Sequence, residues 1–255
     1  MIDPRWHIIA YIVAALLLRV VAARLTASRD GAPTWLQRLT SGASAATLRF
    51  LYYVGLPYAA LMSAVLPARY LGLTGLERLS NLALIPGTNH PLEWLRSAWA
   101  LLLQSWLPDL GRLAASSAAM AILIAVIWSL YRHYATLDVG AAFRRPRNAG
   151  TSVNSPGFSH VAYAAVHWAF YRAAVWVLTD DLYLAVVGGV LLVLVETWLC
   201  RELNGRAAVA VSLLVTTAAI FYAAPNLWLL IPVHWLLARR CRAILASGSA
   251  SLATP

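Results

Sequence analysis

Seven apolar stretches divide the chain: Trp6–Val21, Leu48–Leu66, Leu113–Tyr131, Ser159–Leu178, Leu182–Cys200, Ala207–Ala223 and Asn226–Ala238. Crossing ~30 Å of hydrocarbon takes about 20 residues of helix, and most of these stretches approach that length. The pattern predicts an all-α polytopic transmembrane bundle of about seven spans (six to eight), residues 1–255 forming one membrane domain. The last two stretches meet at Ala224-Pro225-Asn226, which reads as a tight hairpin. A re-entrant loop over 207–238 is the alternative and brings the count nearer six.

Two connections are long. Residues 67–112 carry Pro and Gly punctuation from Pro86 to Pro91, then Leu95, Trp99, Leu102 and Trp106 at helical spacing. With Glu93, Arg96 and Gln104 interleaved, residues 93–107 predict an amphipathic helix lying in the outer interface, where tryptophan rings settle. A helix packed over the outer mouth of the bundle reads equally well. Residues 133–157 form a basic loop with Gly, Pro and Ser.

Arginines orient the spans. Arg24, Arg29 and Arg38 follow the first span, Arg132, Arg144, Arg145 and Arg147 the third, Arg201 and Arg206 the fifth, and Arg239, Arg240 and Arg242 the seventh. The intervening loops carry Glu77, Glu93 and Asp109 together with Arg69, Arg78, Arg96 and Arg112, then Asp180 and Asp181, then no charge. By the positive-inside rule every second loop is cytoplasmic, giving an N-out, C-in protein. The first run has Arg5 before it and Arg19 and Arg24 at its far end; the far-end pair makes it read as an anchor and not as a cleaved signal.

Composition supports the same solvent. Hydrophobic residues make up 61% and charged residues 12%, where soluble domains average about 25% charged. The net charge of +10 is all arginine, with no lysine, as in a GC-rich bacterial genome; the expected location is the bacterial cytoplasmic (inner) membrane. Because those arginines sit at span ends, they predict topology and no nucleic-acid partner. Cys200 and Cys241 fall toward the cytoplasmic face, where a disulfide is not expected, and two isolated cysteines make no zinc site.

Ionisable groups inside a membrane are functional candidates. Arg19 is expected to snorkel to the cytoplasmic interface, and Arg172 to pair with Asp180 or Asp181 across the outer turn. The fourth span is expected to start at Ser155-Pro156, as N-cap and first helical residue. His160, Glu196 and His234 each stand about five residues inside a cytoplasmic helix end, ~7–8 Å deep at 1.5 Å per residue. His167 shares the face of His160 but lies ~10 Å deeper. Such a set can share protons or activate a water. Glu196 paired with Arg201 or Arg206 is the plainer reading.

The run Val195-Glu196-Thr197-Trp198-Leu199-Cys200-Arg201-Glu202-Leu203 resembles the first motif of the CPBP (CAAX-protease and bacteriocin-processing) intramembrane protease family, and Asn226-Leu227-Trp228 through Pro232-Val233-His234-Trp235 resembles its last helix. Arg69-Tyr70-Leu71-Gly72-Leu73, after the second span, is also similar. The resemblance implies Glu196 as water activator, Arg201 as orienting group and His234 at the oxyanion. The sequence departs from the family at Thr197, where a second glutamate belongs, and at Ala238, where an asparagine belongs; no histidine lies between Arg201 and His234. The implied relative has lost peptidase activity.

The leading expectation is therefore a non-catalytic structural or accessory subunit of a larger membrane complex, energy-transducing or photosynthetic, with other membrane subunits and lipid as partners. His160 and His167 are its candidate axial ligands for a haem or bacteriochlorophyll. A CPBP-type glutamate protease using Glu196, Arg201 and His234 is the alternative, and a small-molecule transporter the third. No metal site is expected.

Overall fold

Every described element is helical. A computed structural model of the chain describes residues 4–27, 42–74, 91–138, 157–200 and 207–250. Helix α1 covers Pro4–Ala27. The second apolar stretch is one run in three parts: α2, Gly42–Phe50, a π turn over Leu51–Gly55, and α3, Leu56–Met62. The π turn has a local cause. Pro57 has no N–H to give to Tyr53 and its ring crowds that carbonyl, and the Leu56 N–H bonds Leu51 O, five residues back. The extra residue in the turn turns Tyr52 and Tyr53 toward the bundle, the kind of re-aiming for which π turns recur at functional sites.

The next element departs from expectation. Helix α4 runs unbroken from Pro91 to Asp138, 48 residues with Pro108 inside it. The expected interfacial helix (93–107) and third span (113–131) are one helix, because Pro108 removes a single backbone bond while Leu, Ala and Trp on both sides favour continuation. At 1.5 Å per residue α4 is ~72 Å long, over twice the hydrocarbon thickness. Residues 133–138 belong to it; the rest of the expected 133–157 loop, up to Pro156, lies outside the described residues.

Helices α5 (Phe158–Thr179) and α6 (Leu182–Leu199) form an antiparallel hairpin. Both turn aspartates serve the backbone. Asp180 takes the left-handed conformation that closes α5, and Asp181 caps α6 by accepting from the Leu184 N–H at 2.9 Å. Neither pairs with Arg172, which is buried in α5. Helix α5 begins after Gly157; the expected cap at Ser155 lies outside the described residues. Helices α7 (Ala207–Ala223) and α8 (Leu227–Ala250) are separate, joined through Ala224-Pro225-Asn226.

Among the described residues four helical stretches are long and apolar enough to cross a membrane: Arg5–Arg24, Leu92–Ile127, Phe158–Thr179 and Leu182–Leu199. The second apolar stretch is broken by the π turn and α7 has only 17 residues, so length and composition support four of the seven expected crossings.

The connections following the second, fourth and sixth apolar stretches gather at one end. Tyr70 donates to Asp180 Oδ1 at 3.3 Å, and the Leu227 N–H to Gly72 O at 2.7 Å. Trp106 Nε1 donates to Thr74 O at 3.1 Å, and Asn226 Nδ2 to Asp109 Oδ2 at 3.2 Å. Gly72 is required there: its φ is +77°, and a Cβ would lie 2.8 Å from Phe221 Cε2 and 3.0 Å from Leu227 N.

Candidate functional site

Four helical elements each bring one polar side chain to a common point. Glu196, one turn before the end of α6, is buried. Its Oε2 lies 2.8 Å from His167 Nε2 of α5, and its Oε1 lies 3.3 Å from Arg19 Nε of α1. Tyr52, from the π turn, places its hydroxyl 3.4 Å from Glu196 Oε1, 3.3 Å from His167 Nε2 and 3.3 Å from Ala15 O. A phenol carries one proton, so it donates to Glu196 Oε1 or to Ala15 O, one at a time, and not to an Nε2 that itself bears a proton. The countercharge to the carboxylate is Arg19, whose side chain is 24% exposed.

His167 sits in an aromatic box. The rings of Tyr52, Tyr53 and Tyr171 approach it at centroid distances of 4.9, 5.2 and 4.7 Å. Tyr171 follows His167 by one helical turn, so both project from the same face of α5. The box fixes the ring, and the carboxylate fixes its tautomer. An ionised carboxylate only accepts, so Nε2 carries the proton given to Glu196, and in the neutral ring Nδ1 holds the free lone pair. Nδ1 is buried and has no hydrogen-bond partner. An unsatisfied buried polar atom is uncommon in a native fold and calls for an explanation, of which a catalytic role is one.

Beside this pair is a cavity of about 280 Å3. Its polar wall is Arg19, Tyr53, His160, His167, Glu196 and Thr197; Trp168, Val193, Leu194, Val211 and Leu214 supply most of the apolar wall. The volume falls just under the ~300–1,000 Å3 of most ligand pockets, enough for a small group or a single chain segment.

The structure joins Glu196, His167 and His160 around this cavity and leaves His234 out. The His234 ring instead lies tilted against Trp168 at 4.9 Å and does not line the cavity; of the set Glu196, Arg201, His234 implied by the protease resemblance, the described residues place Glu196 at the cavity and His234 away from it. Arg201 and Arg206 lie outside the described residues, as does the side chain of Cys241. Thr197 lines the cavity, but its hydroxyl is given to Val193 O at 2.7 Å. Because Glu196 holds Nε2 of His167, axial ligation by His167 would have to use Nδ1. Among the described residues no three His, Cys, Asp or Glu side chains cluster as metal ligands.

Depth reckoning matches Glu196 with His160 and His234, and the structure pairs it with the deeper His167. The better ruler is the hairpin. His167 stands thirteen residues before Asp180 and Glu196 fifteen after Asp181, so they meet across the α5–α6 pair. Arg19 does not simply snorkel; it faces Glu196. The sequence reading passed over Arg19 as a site residue and missed Tyr52, Tyr53 and Tyr171. The tyrosine pair just ahead of Gly-x-Pro was the available signal.

No protein-family model matches the sequence, no curated protein matches it, and no solved structure matches the fold.

Proposed function

We propose that this is a multi-pass membrane protein with an internal general-base centre, His167 held by Glu196, that hydrolyses an acyl bond presented in the adjoining cavity. One observation carries the reading: His167 gives its Nε2 proton to Glu196 and keeps an unpartnered Nδ1. Nδ1 has no exposure to the cavity as the bundle stands, so a water reaches it only on a small opening between the helices; there Nδ1 takes the proton of the water as its oxygen adds to a carbonyl carbon. Glu196 stabilises the imidazolium, which then returns the proton to the leaving group. Arg19 and His160 line the same cavity and offer donors to the oxygen that becomes negative. The likeness to CPBP proteases around Glu196 favours the same reaction class, with His167 in place of His234 as the working histidine.

The test is turnover by the full chain in lipid nanodiscs, against membrane-spanning peptides and long-chain esters. His167→Ala is expected to lower the rate ~10²–10⁴-fold, the usual contribution of a positioned base, with an unchanged thermal midpoint for substrate-free protein in His167→Gln. A wild type inert toward both panels sinks the hydrolase reading. If that inert protein also runs in mild detergent as part of a larger complex, the accessory-subunit reading takes its place.

We also propose seven crossings with the N-terminus outside, in a bacterial inner membrane. The arginines after the first, third, fifth and seventh stretches, against none in the two short turns at Asp180-Asp181 and Pro225, support this orientation; the 67–112 connection, with Arg69, Arg78, Arg96 and Arg112, does not add to it. Reporters inserted at Gly150 and after Arg242 are then expected to read cytoplasmic, and one at His90 external. An external signal at Gly150 overturns it.

A further inference from the structure

The cavity beside Glu196 and His167 is lopsided, and its shape bears on what can be cut there. Helices α5, α6 and α7 supply most of its wall, so depth can be read along each at 1.5 Å per residue. Toward the ends where α5 and α7 begin, the wall continues from His167 to His160, seven residues or ~10 Å. His160 and Ala210 are exposed there and form the mouth. In the other direction the wall stops at Trp168, one residue past His167, at Val193, three past Glu196, and at Leu214 of α7. The room beyond the pair is therefore under one helical turn, ~5 Å.

Packing closes that inner end. Val193 and Leu214 are buried in the core. One turn further along α6, the space at Gly189 is filled by the stem of Arg172: a Cβ there would lie 2.5 Å from Arg172 Cγ. The Arg172 guanidinium lies over the Phe221 ring of α7 at 4.1 Å, so this buried side chain joins α5, α6 and α7 behind the floor. The three floor side chains are apolar, and a polar end buried against them without a partner is costly. What reaches the floor is hydrocarbon. At ~1.5 Å per carbon–carbon bond, about two or three carbons fit beyond a carbonyl held at His167.

Taking His167 as the general base proposed above, on which this rests, we propose that the bond cut here is an ester with a short acyl half, acetyl to butyryl in size. That half lodges against Val193 and Leu214, and the larger alcohol half lies toward the mouth. Water adds to the carbonyl carbon, the bond from that carbon to the alkoxy oxygen breaks, and the imidazolium proton goes to the departing oxygen, giving one short carboxylic acid and one alcohol. With the acyl half inside, the new carboxyl group stays near Arg19 and the alcohol leaves by the mouth. With the alcohol half inside, its hydroxyl would be released against Val193 and Leu214, which offer it no hydrogen bond.

The experiment compares two isomers as substrates for the full chain in nanodiscs. Hexadecyl acetate and ethyl palmitate have the same atoms and differ in which half of the ester is short. The kcat/KM is expected to favour hexadecyl acetate by roughly 100-fold, since one surplus methylene in a fitted apolar pocket already costs ~10–200-fold. Leu214→Ala and Val193→Ala deepen the floor, and each is expected to raise turnover of hexadecyl hexanoate relative to hexadecyl acetate by about tenfold or more. Equal or faster turnover of ethyl palmitate overturns the short-acyl preference and leaves the hydrolytic centre standing. Cleavage of membrane-spanning peptides with neither ester touched does the same, as does an unchanged acyl preference in a folded floor variant. Should neither variant fold, the isomer ratio of the wild type decides alone. A wild type inert toward esters and peptides alike removes the hydrolytic centre, and this specificity with it.

Discussion

Glu196→Ala is expected to destabilise the bundle by about 3 kcal/mol, the lower end of the ~3–5 kcal/mol that follows when one partner of a buried ion pair is removed. The alanine leaves Arg19 with no carboxylate, His167 Nε2 without its acceptor and Tyr52 with one acceptor fewer. The loss falls toward the low end because Arg19 is partly exposed and can turn toward the helix end. Denaturant titration in mixed micelles measures it. A loss below about 1 kcal/mol, the scale of ordinary interhelical hydrogen bonds in membranes, would mean that the network contributes little to holding α1, α5 and α6 together. The pair Arg19→Met with Glu196→Leu separates stability from chemistry. Replacing both charges by apolar groups of similar volume is often neutral or stabilising, so the double variant is expected to unfold near the wild type. It is also expected to be inactive, because His167 has lost the group that fixes its tautomer. A stable, fully active double variant would remove Glu196 from the mechanism.

Helical class and hairpin turns were legible because they depend on local chemistry. Asp180-Asp181 and Ala224-Pro225-Asn226 break helices for reasons contained in a few residues, and both turns stand where the pattern put them. Errors arose wherever depth had to be inferred from an assumed helix end. The first apolar run was ended at Val21, but α1 continues to Ala27, which sets Arg19 eight residues, ~12 Å, inside the helix. There an arginine faces a partner inside the bundle and does not simply reach water. A place near the outer end beside Asp180 and Asp181 does not hold for Arg172, because Asp180 accepts from Tyr70 and Asp181 caps α6. The break expected near Pro108 failed because one missing N–H does not stop a helix whose neighbours favour it. Tyr52 was invisible for a different reason. Its inward aim comes from the π turn that Pro57 induces, and hydrophobic periodicity carries no trace of such a turn.

The largest packing effect is expected at Gly189. The α5–α6 hairpin closes on this glycine: a Cβ there would lie 2.5 Å from Arg172 Cγ, 3.0 Å from its Cα and 3.1 Å from its N. Two of those atoms are backbone, so no rotamer change clears the space and the helices must separate. At Gly188, one residue earlier, a Cβ meets only the side chain of Val175, Cγ1 at 2.9 Å and Cγ2 at 3.3 Å, which can rotate. Replacing a helix-interior glycine by alanine gains up to about 1 kcal/mol of propensity, while overpacking costs about 1–3 kcal/mol. Gly188→Ala is therefore expected near neutral, and Gly189→Ala to lose about 2 kcal/mol. The function should suffer more than the fold. Glu196 lies two turns beyond Gly189 on the same face of α6, so a separation that α5 and α6 survive still pulls the carboxylate away from the 2.8 Å bond to His167. Turnover in Gly189→Ala is expected to fall toward that of His167→Ala, at a temperature where the variant remains folded. Wild-type stability in Gly189→Ala would show that the hairpin has slack at this contact. Wild-type turnover in the folded variant would show that the histidine works without a tightly held carboxylate.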